Sequence, residues 1–182
     1  MKDITFITGN QDKADYLARH IGVDIAHQKV ELDELQSVNL DNIVMYKVKQ
    51  AYQIIQSPVL VEDVGLAFNA LNGLPGPFVK FFVDYAGLEA SCRMLDGFSD
   101  RSALANSVFG YYDGSTLKLF HGSLAGAIAE HPRGDGGFGW DQIFIPDGYD
   151  GKTRAELSPA DDEKTYATIK PFAELREFLR SR

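Results

Sequence analysis

The first apolar run, Ile4-Thr5-Phe6-Ile7, is β-branched and aromatic and ends at Thr8-Gly9-Asn10, the pattern of a strand followed by a turn. From Asp12, the spacing of Tyr16, Leu17 and Ile21 predicts a helix that stops at Gly22. A second strand is expected over Val23 to Val30, then an acidic connection from Glu31 to Gln36. Ile43, Met45, Tyr46, Val48, Ala51, Tyr52 and Ile55 give a helical pattern that ends near Ser57-Pro58. Val59-Leu60-Val61 is a continuous apolar strand, and Glu62-Asp63 follow it at once. Gly73-Leu74-Pro75-Gly76-Pro77 is dense turn chemistry. It precedes an aromatic helix carrying Phe78, Phe81, Phe82 and Tyr85, and a short helix over Leu88 to Leu95. Ala103 to Tyr112 and Thr116 to His121 flank Asp113-Gly114, a hairpin signal, and the strand pattern resumes from Ala125 to Ile128. A Gly-rich stretch runs from Gly134 to Gly139, Phe144-Ile145 leads to Pro146, and Phe172, Leu175, Phe178 and Leu179 mark a closing helix. Strands that alternate with helices early, with a hairpin in the middle, predict an α/β protein with a mixed sheet.

Length and composition sharpen this picture. The chain has 182 residues, which favours one domain over 1–182, and 45% of them are hydrophobic, enough for a sizeable core. Cys92 is the only cysteine, so no intramolecular disulfide forms, which fits a reducing compartment. No apolar run approaches the roughly 20 residues that span a bilayer. The start, Met1 to Ile7, lacks the apolar stretch of a signal peptide. A soluble cytoplasmic protein with no membrane partner is expected. The formal net charge of −8 argues against nucleic acid as a partner, because that binding needs many cationic contacts. A small phosphorylated ligand needs only a few local cations, and a divalent metal can bridge carboxylates to phosphate oxygens.

Three motifs carry candidate chemistry. Thr8-Gly9-Asn10-Gln11-Asp12-Lys13 joins a strand to a helix, where backbone N–H groups attract phosphate and Lys13 can add a point charge. An ordinary junction with a surface lysine gives the same pattern. Glu62-Asp63 directly after an apolar strand places carboxylates where α/β proteins bind ligands, although a solvated turn is the commoner meaning. Phe138-Gly139-Trp140-Asp141 puts aromatic rings on flexible backbone, able to stack on a base or to pack as core. His20, His27, His121 and His131 show no metal-ligand spacing.

In order, Thr8-Gly9-Asn10-x-x-Lys13, Leu32-Asp33-Glu34-Leu35-Gln36, Val61-Glu62-Asp63-x-Gly65-Leu66, Ala70-Leu71-x-Gly73-Leu74-Pro75-Gly76-Pro77-Phe78-x-Lys80, Gly137-Phe138-Gly139-Trp140-Asp141, Pro146-x-Gly148, Ala155-Glu156-Leu157 and Glu163-Lys164 resemble the inosine triphosphate pyrophosphatase family over almost the whole chain. That family hydrolyses non-standard purine nucleoside triphosphates to a monophosphate and pyrophosphate. The resemblance implies an elongated mixed β-sheet flanked by helices, two lobes with a central active-site cleft, and a homodimer. It implies that Glu34 and Asp63 hold Mg2+ and that Asp63 orients or deprotonates the attacking water. Lys13, with the backbone of Thr8, Gly9 and Asn10, would bind the phosphate tail, and Lys80 and Lys164 match positions close to the phosphates. Asp63, Lys13 and Lys80 form the implied catalytic set. Phe138, Gly139 and Trp140 would wall the base pocket, and Asp141 would add polar contacts.

Two departures bear on the substrate. Val64 stands where the family carries Ser or Thr, which removes a hydroxyl contact to phosphate. Thr168-Ile169-Lys170 occupy the positions of a Ser-His-Arg segment whose His and Arg read the 6-oxo group of the base. Thr168 and Lys170 remain as candidate substrate contacts, but Ile169 cannot hydrogen-bond and Lys170 lacks the guanidinium fork. A weaker preference for inosine or xanthosine over adenosine or guanosine triphosphate is therefore expected. Arg154 stands where the family pattern has no arginine.

Overall fold

The computed structural model describes residues 4–22 and 25–181. The expected second strand thus begins outside the described residues, and Arg182 also lies outside them. β1 (Thr5–Ile7) leads into α1 (Gln11–Ile21), which Gly22 ends in the left-handed conformation at φ 60°. β2 (Ala26–Gln28) is shorter than expected. α2 (Leu40–Ile55) starts at Asn39, whose side chain accepts from the backbone N–H of Asp41 and Asn42.

β3 corrects the sequence reading. It runs from Val59 to Phe68, so Glu62 and Asp63 lie inside a strand and do not close it. The strand continues because both carboxylates find partners: Ser107 and Lys13 for Glu62, Lys47 for Asp63. β4 (Pro75–Gly76) pairs back on β3. The aromatic segment forms a single turn, α3 (Val79–Phe81), followed by a π-helical turn over Phe82–Ala86 and then α4 (Leu88–Arg93). β5 (Ser102–Tyr112) and β6 (Leu117–Ile128) flank the Asp113-Gly114 turn. β6 is one strand where the hydrophobic pattern suggested two. β7 (Phe144–Pro146) precedes α5 (Pro159–Ile169), a helix that the apolar pattern does not announce, and α6 (Phe172–Arg180) closes the chain.

Among the described residues, seven strands form one mixed sheet in the order β2-β1-β3-β5-β6-β7, with β4 on β3. β1 is parallel to both β2 and β3, while β6 and β7 are antiparallel. The chain divides into two compact units. The first holds the described residues up to Asp63, Ser107–His121 and Pro171 onward, and one of its apolar clusters joins Val44, Val48 and Ala51 of α2 to Val59 and Val61 of β3. The second holds Val64–Asn106 and Gly122–Lys170, around Leu66, Phe68, Cys92, Leu95, Phe144 and Ile169. No helix among the described residues is long and apolar enough to cross a membrane.

Candidate functional site

In the first unit the Thr8-Gly9-Asn10 turn is fixed by its own polar groups. Asn10 caps α1, its side chain accepting from the Lys13 N–H at 3.2 Å, and the Asn10 N–H donates to Thr8 Oγ1 at 3.1 Å. The Thr8 N–H donates to Gln28 O at 3.0 Å, which ties the turn to β2. Gly9 lets the Lys29 side chain pack close over this turn. A Cβ at this position would lie 3.2 Å from the Lys29 stem, which crosses the turn.

The two carboxylates of β3 meet different cations, as expected for successive residues of a strand that point to opposite faces. Glu62, its side chain 2% exposed, takes Lys13 at 3.3 Å and accepts from Ser107 Oγ at 2.8 Å. Asp63 takes Lys47 at 2.7 Å. The same Lys47 ammonium lies 3.9 Å from Glu34, which is 71% exposed. Glu34 is carried by a connection pinned to α2: the Asp33 N–H donates to Gln50 Oε1 at 2.9 Å and Gln50 Nε2 donates back to Asp33 at 2.8 Å. A cavity of about 470 Å³ opens here, lined among others by Thr8, Gly9, Lys29, Glu34, Lys47 and Glu62.

Sequence reasoning missed Lys47, and a signal was present. Ile43 and Ala51 lie four residues to either side of it and are both buried, so Lys47 is a charge on the apolar stripe of α2. Among the described residues no group of three or more His, Cys, Asp or Glu is placed to hold a metal ion. Glu34 and Asp63 nevertheless share one cationic group, and two carboxylates converging on one cation are the donor chemistry a hard divalent ion takes beside phosphate oxygens.

In the second unit the aromatic loop is built around Asp141. Its Oδ2 accepts from the Phe138 N–H at 2.9 Å, and the Asp141 N–H returns a bond to Phe138 O at 3.2 Å. Gly137 sits at φ 69°, and a Cβ there would fall 2.4 Å from Asp141 Oδ2. Only glycine allows the carboxylate so close. Phe138 is 46% exposed, while Trp140 packs edge-on against Phe144 with centroids 5.5 Å apart. Burial pushes the Asp141 carboxyl above the usual carboxylate range, with Arg154 and the Phe138 N–H pulling it back.

Arg154 is buried with a side chain 3% exposed. Nη1 donates to Asp141 at 2.7 Å, Nη2 to Asp162 at 2.5 Å and Nε to Thr165 Oγ1 at 2.9 Å. Lys170 is also buried, its ammonium 5.1 Å from the Tyr166 ring. Ile169 belongs to the core of this unit. The Thr168 hydroxyl turns back onto Lys164 O at 2.9 Å. Lys164 pairs with Asp161 at 2.9 Å, and that hydrogen bond raises its pKa. Lys80 pairs with Asp84 on the next turn. The expected residues thus form two sets. Thr8, Gly9, Asn10, Lys13, Glu34 and Asp63 belong to the first unit, and Lys80, Phe138, Gly139, Trp140, Asp141, Lys164, Thr168 and Lys170 to the second.

A family model described as the Ham1 family matches residues 4–178. An inosine triphosphate pyrophosphatase 2 of Trypanosoma cruzi is 44% identical over 166 residues, covering 88% of this chain and 83% of its own. The inosine triphosphate pyrophosphatase of Scheffersomyces stipitis is 38% identical over 196 residues and covers 100% of both. The solved structure of a HAM1 protein from Coxiella burnetii superposes with a TM-score of 0.85 at 25% identity, covering 100% of each chain.

Proposed function

The chain belongs to the Ham1 family, and from that membership and its carboxylate–lysine cluster we propose a nucleoside triphosphate pyrophosphohydrolase acting on non-standard purine nucleoside triphosphates. Inosine triphosphate is the substrate that the names of the similar pyrophosphatases suggest, and deoxyinosine and xanthosine triphosphates join it in this proposal on the family resemblance. The carrying observation is the Lys47 ammonium held by Glu34 and Asp63, with Lys13 on the neighbouring Glu62. A protein that only binds nucleotide without turnover is not favoured, since simple binding has no need of both carboxylates.

Mg2+ is the proposed cofactor, with Glu34 and Asp63 as its protein ligands. Bound there, it would neutralise phosphate charge and lower the pKa of a water. The remaining steps belong to the chain. Lys13 releases Glu62 and Lys47 releases its carboxylates as both turn to the phosphate tail, beside the backbone N–H groups of Thr8 to Asn10. Lys80 and Lys164 are assigned to the phosphates, Phe138, Gly139, Trp140 and Asp141 to the base, and Thr168 and Lys170 to substrate contacts nearby. Asp63 orients a water and takes its proton as the oxygen attacks the α-phosphorus. The bond from that phosphorus to the bridging oxygen breaks and pyrophosphate leaves. Such chemistry depends on positioning and charge neutralisation more than on covalent help. A cytoplasmic homodimer of one domain, without nucleic acid or membrane partners, completes the proposal.

The test is a panel of common and deaminated nucleoside triphosphates with purified protein, with phosphate and pyrophosphate detected separately. Monophosphate and pyrophosphate are expected, with activity lost in excess chelator and restored by Mg2+. Orthophosphate as the direct product would overturn the reaction class. Asp63→Asn should lower kcat by at least the roughly 10²–10⁴-fold that a general base contributes, with the fold retained. More than about a tenth of wild-type activity in that variant would remove Asp63 from its role.

A further inference from the structure

Arg154 makes three polar contacts on three different residues. Through Asp141 it reaches the aromatic loop, because the same carboxylate holds the Phe138 N–H. Through Asp162 and Thr165 it reaches α5, the helix that carries Lys164 and Thr168. The backbone beside it strengthens the first link: the Ala155 N–H donates to Asp141 O at 3.1 Å, and the Gly136 N–H donates to Ala155 O at 3.1 Å. The guanidinium also lies 6.0 Å from the Trp140 ring and 5.5 Å from the Tyr166 ring. Its planar fork is what allows one side chain to span these groups, and lysine has no equivalent.

We infer that Arg154 is a positioning residue for the nucleotide base, clamping the Phe138–Asp141 loop to α5 without touching the base itself. Three observations favour this over direct base reading. The side chain is only 3% exposed. Each of its three nitrogens already has a protein partner. A buried ion pair also adds little net stability compared with apolar packing, so its better-attested use is to fix one geometry. The loop needs such fixing, because Phe138 lies between Gly137 at φ 69° and Gly139 at φ 62° and remains half exposed. The inference rests on the proposed reading of Phe138 and Trp140 as walls of the base pocket.

Trp140 is the sole tryptophan, so its emission reports on this loop directly. Wild type, Arg154→Met, Arg154→Lys and Asp162→Asn are titrated with a non-hydrolysable inosine triphosphate analogue and Mg2+, and kcat and KM are measured alongside. Arg154→Met is expected to weaken binding about tenfold, within the roughly 100-fold that an ångström of misplacement can cost. KM should rise in step, for inosine and adenosine triphosphates alike, with kcat within about threefold of wild type. Arg154→Lys should recover part of the loss. Asp162→Asn, which removes one arm at a partly exposed position, should fall between. Unchanged affinity in a folded Arg154→Met overturns the clamp. So does unchanged affinity in both Arg154→Lys and Asp162→Asn if the methionine variant does not fold. A fall in kcat with affinity and KM intact also overturns it. A wild-type Trp140 signal that ignores every nucleotide overturns the base-pocket reading and this inference with it. Wild-type binding without pyrophosphate release overturns the reaction alone.

Discussion

Ile169 is 2% exposed and packs in one cluster with Leu95, Phe144 and Cys92. Restoring the missing histidine by Ile169→His would therefore bury an imidazole in an apolar core. Leaving a polar group there without a partner costs about 1–3 kcal/mol. The expected outcome is a lower denaturant midpoint and no gain in preference for inosine triphosphate; a sharp gain without loss of stability would mean that the position faces the base. In wild type the ratio of kcat/KM for inosine over adenosine triphosphate should fall well short of the roughly 10⁴-fold that placed hydrogen-bond donors can give. Phe138 offers a stacking face, and stacking discriminates poorly between bases. At this scale the sequence made the ordered motif residues legible, since their types and order survive without coordinates. It did not reveal that Arg154 is consumed by Asp141, Asp162 and Thr165, because these partners are eight to thirteen residues away and meet only through the packing of α5.

The hairpin turn between β5 and β6 was legible as Asp113-Gly114, and the structure adds the reason that Asp stands there. Its carboxylate accepts from the Thr116 N–H at 2.7 Å, the Ser115 N–H at 3.0 Å and the Ser115 hydroxyl at 2.9 Å, and from Tyr111 at 3.1 Å. These bonds, that from Thr116 foremost, hold the Asp113 pKa well below the ordinary 3.8. A depressed acid contributes stability that is present above its unfolded pKa and is lost as pH falls through the folded value. Asp113→Ala is expected to cost about 1 kcal/mol at neutral pH, the usual net worth of such hydrogen bonds at a partly exposed site. The gap to wild type should shrink below pH 3.8, in urea melts at several pH values. A gap constant with pH would show that the charge is not what matters. Elsewhere element boundaries were misread for a shared reason. Glu62-Asp63 looked like a strand end because their lysine and serine partners are far away in sequence. α5 escaped notice because only Thr165, Tyr166 and Ile169 of its residues are buried, too sparse a stripe to stand out.

Across the whole molecule, the separate apolar cores of the two units raise the question of how the second unit opens. Cys92 and Trp140 give it two independent probes, each the sole residue of its type in the chain. Cys92 is fully buried among Leu66, Leu95 and Ile128, and burial pushes its thiol up to about 11. The thiolate is the reactive form, so a native Cys92 at pH 8 is protected both by access and by protonation. Modification by a maleimide should then proceed only through an open state. In rising urea, the labelling transition should coincide with the change in Trp140 emission, because both residues belong to the same unit and Trp140 packs against the cluster that contains Cys92. A nucleotide analogue that binds only the closed form should slow labelling about 100-fold at a concentration 100 times its Kd, by mass action on the open state. Labelling that ignores the ligand would mean that Cys92 is reached by local fraying of α4, with the Phe138–Asp141 loop still in place. Labelling that slows in wild type and not in Arg154→Met at the same concentration of analogue is expected if the clamp sets affinity, since the variant then occupies its site less fully.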